Sequence, residues 1–393
     1  MSGSLILGGA RTPIGKLSGA LGGFTAMALG SLAIKGALER TGIRPDQVEY
    51  VFMGHVLQAG QGQITARQAA VGAGIPMTVP STTVNKVCLS GLNSVYLADL
   101  LIASGAADIV VAGGMESMTQ APYVLPGARQ GLRMGDVELI DSMLYDGLFC
   151  AFDRLPMGSA TEKYCAATTL SRQRQDELAM ASHERAARAT ESGRMAREIV
   201  PVAIPQRKGE SITVAADEGI RRETTMDSLG RLRPAFDPSG SITAGNASQI
   251  SDGAAALVIA SRRKAEELGI APLAEVVGYG QVAGPDTSLL HQPSNAIRNA
   301  LERANLSLSE VDLFEINEAF AAVSAASSED LGLSDSVVNV NGGAIALGHP
   351  IGASGARLAL TLVTELSLRG GGIGAAALCG GGGQGDALLV RAL

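Results

Sequence analysis

The sequence predicts an α/β protein that contains two copies of one βα-rich unit, and three observations carry this prediction. Residues 33–51 (AIKGALERTGIRPDQVEYV) and 296–314 (AIRNALERANLSLSEVDLF) form a repeat with a constant offset of 263. Short apolar runs alternate with helix-like segments, a pattern typical of a buried and mostly parallel sheet. Glycine accounts for 50 of the 393 residues, and its short clusters are typical of tight turns between strands and helices.

The repeat predicts the order of elements in each copy. An amphipathic helix with the pattern A-I-K/R-x-A-L-E-R leads into an apolar run that predicts a strand. Further along, CLSG (88–91) and GASG (352–355) each precede a second helix-like segment. A strand that ends in glycines follows in both copies, ADIVVAGG (107–114) and IGAAALCGGGG (373–383). We therefore expect two halves with one topology.

The stretch from about 119 to 245 differs from both copies, because it is richer in charge and contains a helical segment at 171–193. Ser171 fits the N-cap of this helix, and Gly193 fits its C-terminal stop. We interpret the stretch as an insertion in the first copy. Two unrelated α/β domains are the alternative, which the constant offset disfavours.

The composition limits the classes of function. With 46% hydrophobic and 18% charged residues, the chain can bury a large core and is not disordered. Its net charge of −7 and the lack of a Lys/Arg cluster argue against nucleic acid as a partner. The sequence predicts neither a secretory signal nor a membrane span. Four cysteines without CxxC spacing indicate free thiols in a reducing cytoplasm.

Cys88 lies between a β-like run and a small-residue, helix-like run within 83–105. Backbone N–H groups and the dipole at a helix start favour a thiolate, so Cys88 is a candidate nucleophile. A buried structural cysteine is the alternative.

The second half contains candidate partners for this thiol. His349 lies in a turn rich in Gly and Pro, which suggests a positioned base, although a structural histidine that caps a turn is the alternative. Cys379 ends an apolar strand, and the N–H groups of Gly380 to Gly383 can converge on an anion. Asn317 ends another strand, where it could orient a water or simply form a turn. The His and Cys residues lack the spacing of a metal site, and neither a P-loop nor a dinucleotide fingerprint occurs.

Six segments in order resemble the thiolase family, and the resemblance covers the whole chain. They are VNKVCLSG, VAGGMESMTQAPY, ITAGNASQISDGAAA, EINEAFAAV, NVNGGAIALGHPIGASGAR and ALCGGGGQGDALL. The resemblance implies a duplicated thiolase fold of two βαβαβαββ halves in five αβαβα layers, with an inserted loop domain. The implied boundaries are 1–118 plus 246–270 for the first half, 119–245 for the loop domain and 271–393 for the second half. It also implies a homotetramer or homodimer without metal or prosthetic group.

The resemblance also implies roles for residues. Cys88 would be the acyl-accepting nucleophile and His349 the base that activates it. Cys379 would take the α-proton of the second acyl-CoA. His349 and a water held by Asn317 would form one oxyanion hole, and the N–H groups of Cys88 and Gly381 the other.

The coenzyme A (CoA) site is implied in the same way, with Ser248 and Ala244 beside the pantetheine. The residues that would line the CoA channel are Leu148, Met157, Arg221, Phe236 and Phe320. Cys150 and Cys165 match no role in the family, and His55 and His183 are expected to be structural or surface residues.

The function implied is that of an acetyl-CoA C-acetyltransferase, which reversibly converts two acetyl-CoA to acetoacetyl-CoA and CoA. Pro156 and SLLHQP (288–293) depart from the short-chain pattern and keep open a broader 3-ketoacyl-CoA thiolase of β-oxidation. A decarboxylating ketosynthase and a non-catalytic acyl-CoA or lipid carrier are further alternatives. A ketosynthase typically has a second His where this chain has Cys379, and a carrier does not require two thiols.

Overall fold

A computed structural model describes residues 3–206 and 209–393 of the chain. Its strands are β1 (Leu5–Arg11), β2 (Gly15–Lys16), β3 (Tyr50–Gly54), β4 (Ser81–Val84), β5 (Ile109–Ser117), β6 (Tyr123–Val124), β7 (Ile140–Asp141), β8 (Phe149–Cys150), β9 (Leu155–Pro156), β10 (Val202–Ile204), β11 (Ile212–Val214), β12 (Ser251–Ala260), β13 (Ala274–Ala283), β14 (Leu313–Ile316), β15 (Gly372–Gly380) and β16 (Gln384–Ala392). Its α-helices are α1 (Ala26–Thr41), α2 (Thr65–Gly72), α3 (Ser90–Ala103), α4 (Met157–Cys165), α5 (Arg172–Glu191), α6 (Met226–Gly230), α7 (Arg262–Leu268), α8 (Gln292–Ala304), α9 (Ala321–Leu331), α10 (Ala344–Leu347) and α11 (Ser354–Leu368).

The strands confirm the predicted duplication, but the prediction of a mostly parallel sheet is wrong. Most neighbouring strands of the large sheet are antiparallel, and of the described strand pairs only those among β3, β4 and β5 and between β14 and β15 are parallel. The large sheet has the order β14-β15-β16-β13-β1-β12-β5-β3-β4, so both halves follow the same order outward from the β1–β13 junction. That junction is short, since only Leu5 and Ile6 of β1 pair with β13. At the far edge, Phe314 bridges Val338 in parallel, as β3 pairs with β4 in the first half.

The helices complete five layers. Helices α3 and α11 pack together in the middle, in one apolar cluster that includes strand residues of both halves. The N-terminal ends of the two helices are in close contact at Gly91 and Gly355. A Cβ atom on Gly91 would lie 2.7 Å from the backbone nitrogen of Ala356, and a Cβ atom on Gly355 would lie 2.3 Å from the backbone nitrogen of Leu92. Helices α1 and α2 cover the outer face of the first half, and α8 covers that of the second.

The first helix of each copy ends for the same local reason. At the N-terminus of α1, the Thr25 side chain accepts a hydrogen bond from the Ala28 N–H. At its C-terminus, Gly42 follows α1 with φ 71°. Asn305 follows α8 with φ 53°. Gly and Asn are the residues that enter this left-handed region most readily, so the repeat extends to the helix C-termini.

The residues between β5 and β12 form three two-stranded hairpins and helices α4 to α6. The predicted cap of α5 is confirmed, because the Ser171 hydroxyl accepts a hydrogen bond from the Arg174 N–H at 3.1 Å. Buried charges fasten this region to the sheet, with Arg11 of β1 lying 2.7 Å from both Glu198 and Asp217. Within the described ranges, no helix combines the length and the apolar character needed to cross a bilayer.

Candidate active site

A cavity of about 60 Å³ is lined by Cys88, His349, Cys379 and Gly381. Cys88 lies in the loop before α3, and His349 lies in the loop before α11, the equivalent central helix. Cys379 ends β15, and Gly381 lies in the turn to β16. Because α3 and α11 begin side by side, the loops before them bring Cys88 and His349 to one cavity. The end of β15 and the turn after it bring Cys379 and Gly381 to the same cavity.

The thiol of Cys88 is the resting species. Loss of hydration raises the pKa of Cys88 to about 12, and the negative charge of Glu116 adds to this effect. The backbone N–H groups of Cys88 and Gly381 favour the thiolate and oppose the rise in pKa. These backbone N–H groups favour the thiolate, as expected, but the desolvation penalty is larger and the net shift of the pKa is upward.

His349 lines the same cavity as Cys88. Its Nδ1 lies 2.6 Å from the hydroxyl oxygen of Ser354, and this hydroxyl donates its own proton to the Pro350 carbonyl at 3.0 Å. The proton of the neutral ring therefore resides on Nδ1, and the lone pair is on Nε2. Burial and the nearby Arg357 lower the pKa of His349 to about 3, so the imidazole is neutral at physiological pH.

Cys379 is a second buried thiol at the same cavity. Desolvation raises its pKa, and the proximity of Cys88 raises it further. A negative charge on Cys88 therefore disfavours the ionisation of Cys379.

Asn317 lies beside His349, with its Nδ2 3.4 Å from His349 Nε2. Its backbone N–H continues the sheet by donating to the Ala377 carbonyl. Among the described residues, the side-chain oxygen of Asn317 has no hydrogen-bond partner although it is buried. A buried amide oxygen of this kind is a ready acceptor for a water molecule.

A second cleft, of about 550 Å³, opens toward the surface and shares Leu148, Met157, Ser248, Phe320, His349 and Ile351 with the small cavity. The cleft is therefore the approach to the two thiols. Of the seven residues predicted to contact CoA, six line it: Leu148, Met157, Phe236, Ala244, Ser248 and Phe320.

Arg221 is placed elsewhere, since it is not among the residues that line the cleft. Its N–H lies 3.1 Å from Nδ1 of His183, and its guanidinium lies 3.2 Å from Nε2. Burial lowers the pKa of His183 to about 4. His183 and His55 are both buried, as expected for structural residues.

Sequence reasoning missed several residues at the site. Lys16, Gln249 and Ile351 line the cleft, and Ser354 sets the tautomer of His349. Glu116 accepts the N–H of Gly352 at 2.9 Å and so holds the loop after His349. For Gln249, Ile351, Ser354 and Glu116 the only available signal was their place inside the six family segments. Lys16 lies outside these segments and carried no signal.

Cys150 and Cys165 lie outside the small cavity, and both are buried. Cys165 packs in the same apolar cluster as Cys379, and Cys150 lies near Asp153. In the part of the chain that the structure describes, no group of three or more His, Cys, Asp or Glu side chains could hold a metal ion.

Comparison with known proteins gives a consistent result. The thiolase N-terminal domain family matches residues 4–263, and the thiolase C-terminal domain family matches 270–392. The chain is 55% identical to a probable acetyl-CoA acetyltransferase of Mycobacterium tuberculosis over 100% of both chains. It is 49% identical to an acetyl-CoA acetyltransferase of Cupriavidus necator, again over 100% of both. A crystal structure of the Bacillus anthracis acetyl-CoA acetyltransferase superposes with a TM-score of 0.97 at 40% identity, covering 100% of this chain and 99% of that one.

Proposed function

Because the chain belongs to the thiolase family, we propose that its site is that of an acetyl-CoA C-acetyltransferase. The reaction is the reversible condensation of two acetyl-CoA to acetoacetyl-CoA and CoA. The observation that carries the proposal is the convergence of two thiols, a neutral imidazole and two N–H donors on one small cavity at the end of an apolar cleft. The relatives named acetyl-CoA acetyltransferase match the full length at about half identity.

In the first half-reaction, Nε2 of His349 takes the proton of Cys88, and the thiolate attacks the carbonyl carbon of acetyl-CoA. The negative oxygen that forms is stabilised by the N–H groups of Cys88 and Gly381, and each such donor is commonly worth ~3 kcal/mol of barrier. The C–S bond to CoA then breaks. The departing CoA sulfur takes the proton of Cys379, which leaves acetyl-Cys88, protonated His349 and a Cys379 thiolate.

In the second half-reaction, Cys379 takes the α-proton of a second acetyl-CoA. The enolate oxygen accepts hydrogen bonds from Nε2–H of His349 and from a water held by Asn317. The enolate carbon attacks the acetyl group on Cys88, acetoacetyl-CoA forms, and Cys88 regains its proton from His349. All protons are thereby returned, so the cycle proposed here uses no metal or prosthetic group.

The cleft supports CoA thioesters as the substrates. It is mostly apolar, as suits the pantetheine arm, and Leu148, Met157 and Phe236 reach it from the inserted stretch 119–245. We therefore propose that this stretch is the loop domain that holds CoA. Arg221 belongs to the same stretch but does not line the cleft.

Substrate size separates the two thiolase candidates. Met157 and Leu289 line the small cavity, and its volume of about 60 Å³ suits an acetyl group better than a long chain. The names of the relatives do not favour the broader 3-ketoacyl-CoA thiolase.

The assembly and location of the chain are further parts of the proposal. A homotetramer or homodimer is supported by the exposed apolar side chains of Leu132, Met134, Val137 and Leu139 on one loop. A cytoplasmic location is supported by four cysteines that are all free.

The test is to map the acyl-enzyme. The protein is incubated with labelled acetyl-CoA, digested, and analysed by mass spectrometry. We expect the label on Cys88, with release of one equivalent of CoA. A label on Cys150 or Cys165 with Cys88 unmodified would refute the assignment.

A further inference from the structure

An ion pair joins the loop before α3 to the far half of the sheet. Nζ of Lys86 lies 2.7 Å and 3.0 Å from the two carboxylate oxygens of Asp386. The Asp386 side chain is fully buried, and that of Lys86 is 21% exposed. The two residues are 300 positions apart in the chain. A buried pair of this kind is weak evidence for added stability, because desolvation offsets most of the attraction.

Asp386 offers a fixed anchor. The hydroxyl of Tyr279, on β13, donates to the second carboxylate oxygen at 2.7 Å. The Tyr279 ring is buried and stacks on Tyr96 of α3, with centroids 4.2 Å apart and planes 11° from parallel. The carboxylate is thus held from β13 and β16 together, and Lys86 is the partner that comes from the loop of the nucleophile.

The loop itself is under backbone strain. Val87 has φ 51°, a left-handed conformation that a β-branched residue rarely adopts. The backbone N–H of Lys86 donates to the hydroxyl of Ser90 at 2.8 Å, and this hydroxyl donates to the Val87 carbonyl at 2.6 Å. A strained turn must be held in place on both sides. On the side of β4, the Lys86 side chain holds the turn through its ion pair with Asp386.

The ends of the ion pair lie close to the two N–H donors of the active site. Lys86 precedes Cys88 by two residues. Asp386 pairs across the hairpin with Leu378, the neighbour of Cys379, and the hairpin turn carries Gly381. The pair therefore connects the two backbone segments whose N–H groups converge on the sulfur of Cys88.

We propose that Lys86 and Asp386 are positioning residues that set the spacing of the Cys88 and Gly381 N–H groups, and so act on the chemical steps rather than on substrate binding. The proposal rests on the acyl-enzyme function proposed above. Neither residue touches the reacting atoms. A pair that merely stabilised the fold would instead change thermal stability without a selective change in kcat.

The test compares three variants in thiolysis of acetoacetyl-CoA. Lys86→Gln and Asp386→Asn are expected to lower kcat by roughly 10- to 100-fold, somewhat less than the ~10²–10³ for complete loss of one oxyanion donor, with KM within about twofold. Lys86→Arg keeps the charge and is expected to retain most of the activity, since a guanidinium can bind a carboxylate with two hydrogen bonds. Single-turnover acylation should slow by the same factor as kcat.

The matched control is Arg262→Gln. It removes another ion pair between the two halves, Arg262–Glu275 at 2.9 Å, which lies away from the cavity. This variant should keep the kcat of the wild type. The double variant Lys86→Gln/Asp386→Asn should lose no more activity than either single variant, because one interaction is lost in all three.

Two results would overturn the proposal: acylation of Lys86→Gln at the wild-type rate, or a change confined to KM or to thermal stability. Failure of the underlying function is distinguishable, because then the wild-type protein would not become acetylated on Cys88.

Discussion

Leu289→Ala should convert the short-chain site into one that accepts longer substrates. The side chain of Leu289 is 5% exposed and packs in one apolar cluster with Cys379. It lines the cavity of about 60 Å³ together with Met157. The substitution removes three carbon atoms from this wall and leaves space for about as many from the substrate.

The size of the effect follows from packing energies. 3-Ketohexanoyl-CoA carries two methylenes more than acetoacetyl-CoA, and forcing them into the wild-type cavity costs ~1–3 kcal/mol. In the variant each methylene contributes ~0.8 kcal/mol when buried. The preference should therefore move by ~3–5 kcal/mol toward the longer substrate, on the order of 100-fold or more in the ratio of kcat/KM values.

The assay is thiolysis of both substrates with wild-type protein, Leu289→Ala and a matched control, Leu290→Ala. Leu290 is buried in the same cluster but does not line the cavity. Both variants should lose stability, by about 2–5 kcal/mol, but only Leu289→Ala should change the ratio. An unchanged ratio in Leu289→Ala, or an equal change in both variants, would refute the assignment of this wall.

Three further predictions concern the other groups. Cys379→Ala should still form acetyl-enzyme, because solvent can protonate the departing CoA, but should not condense it with a second acetyl-CoA; normal condensation would assign the α-proton to another base. Ser354→Ala should lower kcat on the order of tenfold with little change in KM, since the His349 proton is then free to move to Nε2; an unchanged kcat would contradict the tautomer. When the pH is lowered from 7.5 to 5, the melting temperature of His183→Asn should fall less than that of the wild type. The pKa of His183 falls from 6.5 unfolded to about 4 folded, so the unfolded state binds the proton first and stability is lost as pH falls from 6.5 toward 4; an equal loss in the variant and the wild type would contradict this assignment.

The sequence predicted the parts of the fold that local patterns encode. The repeat at offset 263 indicated equivalent helices and strands, and the structure extends it to the helix ends at Gly42 and Asn305. The β1–β13 junction was not predictable, because it involves only two residues of β1 and carries no pattern of its own. Which edges of two similar sheets meet is decided by packing between distant segments.

The site was predictable in its members but not in its electrostatics. The family segments indicated Cys88, His349, Cys379 and Asn317, and the structure brings these together. The pKa of Cys88 could not be inferred from its place before a helix. It is raised by burial and by the charge of Glu116, and both effects come from segments that only the fold brings to Cys88. The Lys86–Asp386 ion pair could not be predicted from the sequence for the same reason, because no local pattern links two charges that are 300 positions apart.

The duplication also accounts for the asymmetry of the chemistry. The two central helices start side by side, so the loops before them face the same cavity, and each copy supplies one loop. CLSG (88–91) and GASG (352–355) are offset by 264, so Cys88 corresponds to Gly352. A Cβ on Gly352 would lie 2.7 Å from a carboxylate oxygen of Glu116 and 2.8 Å from the carbonyl oxygen of Met115, so a side chain there would break the contact that orders the loop after His349. One copy therefore presents the nucleophile, while the equivalent position in the other must stay small so that the base is held in place. A cysteine at position 352 as well as at 88 would displace the loop that holds His349. The two equivalent loops therefore carry unlike residues.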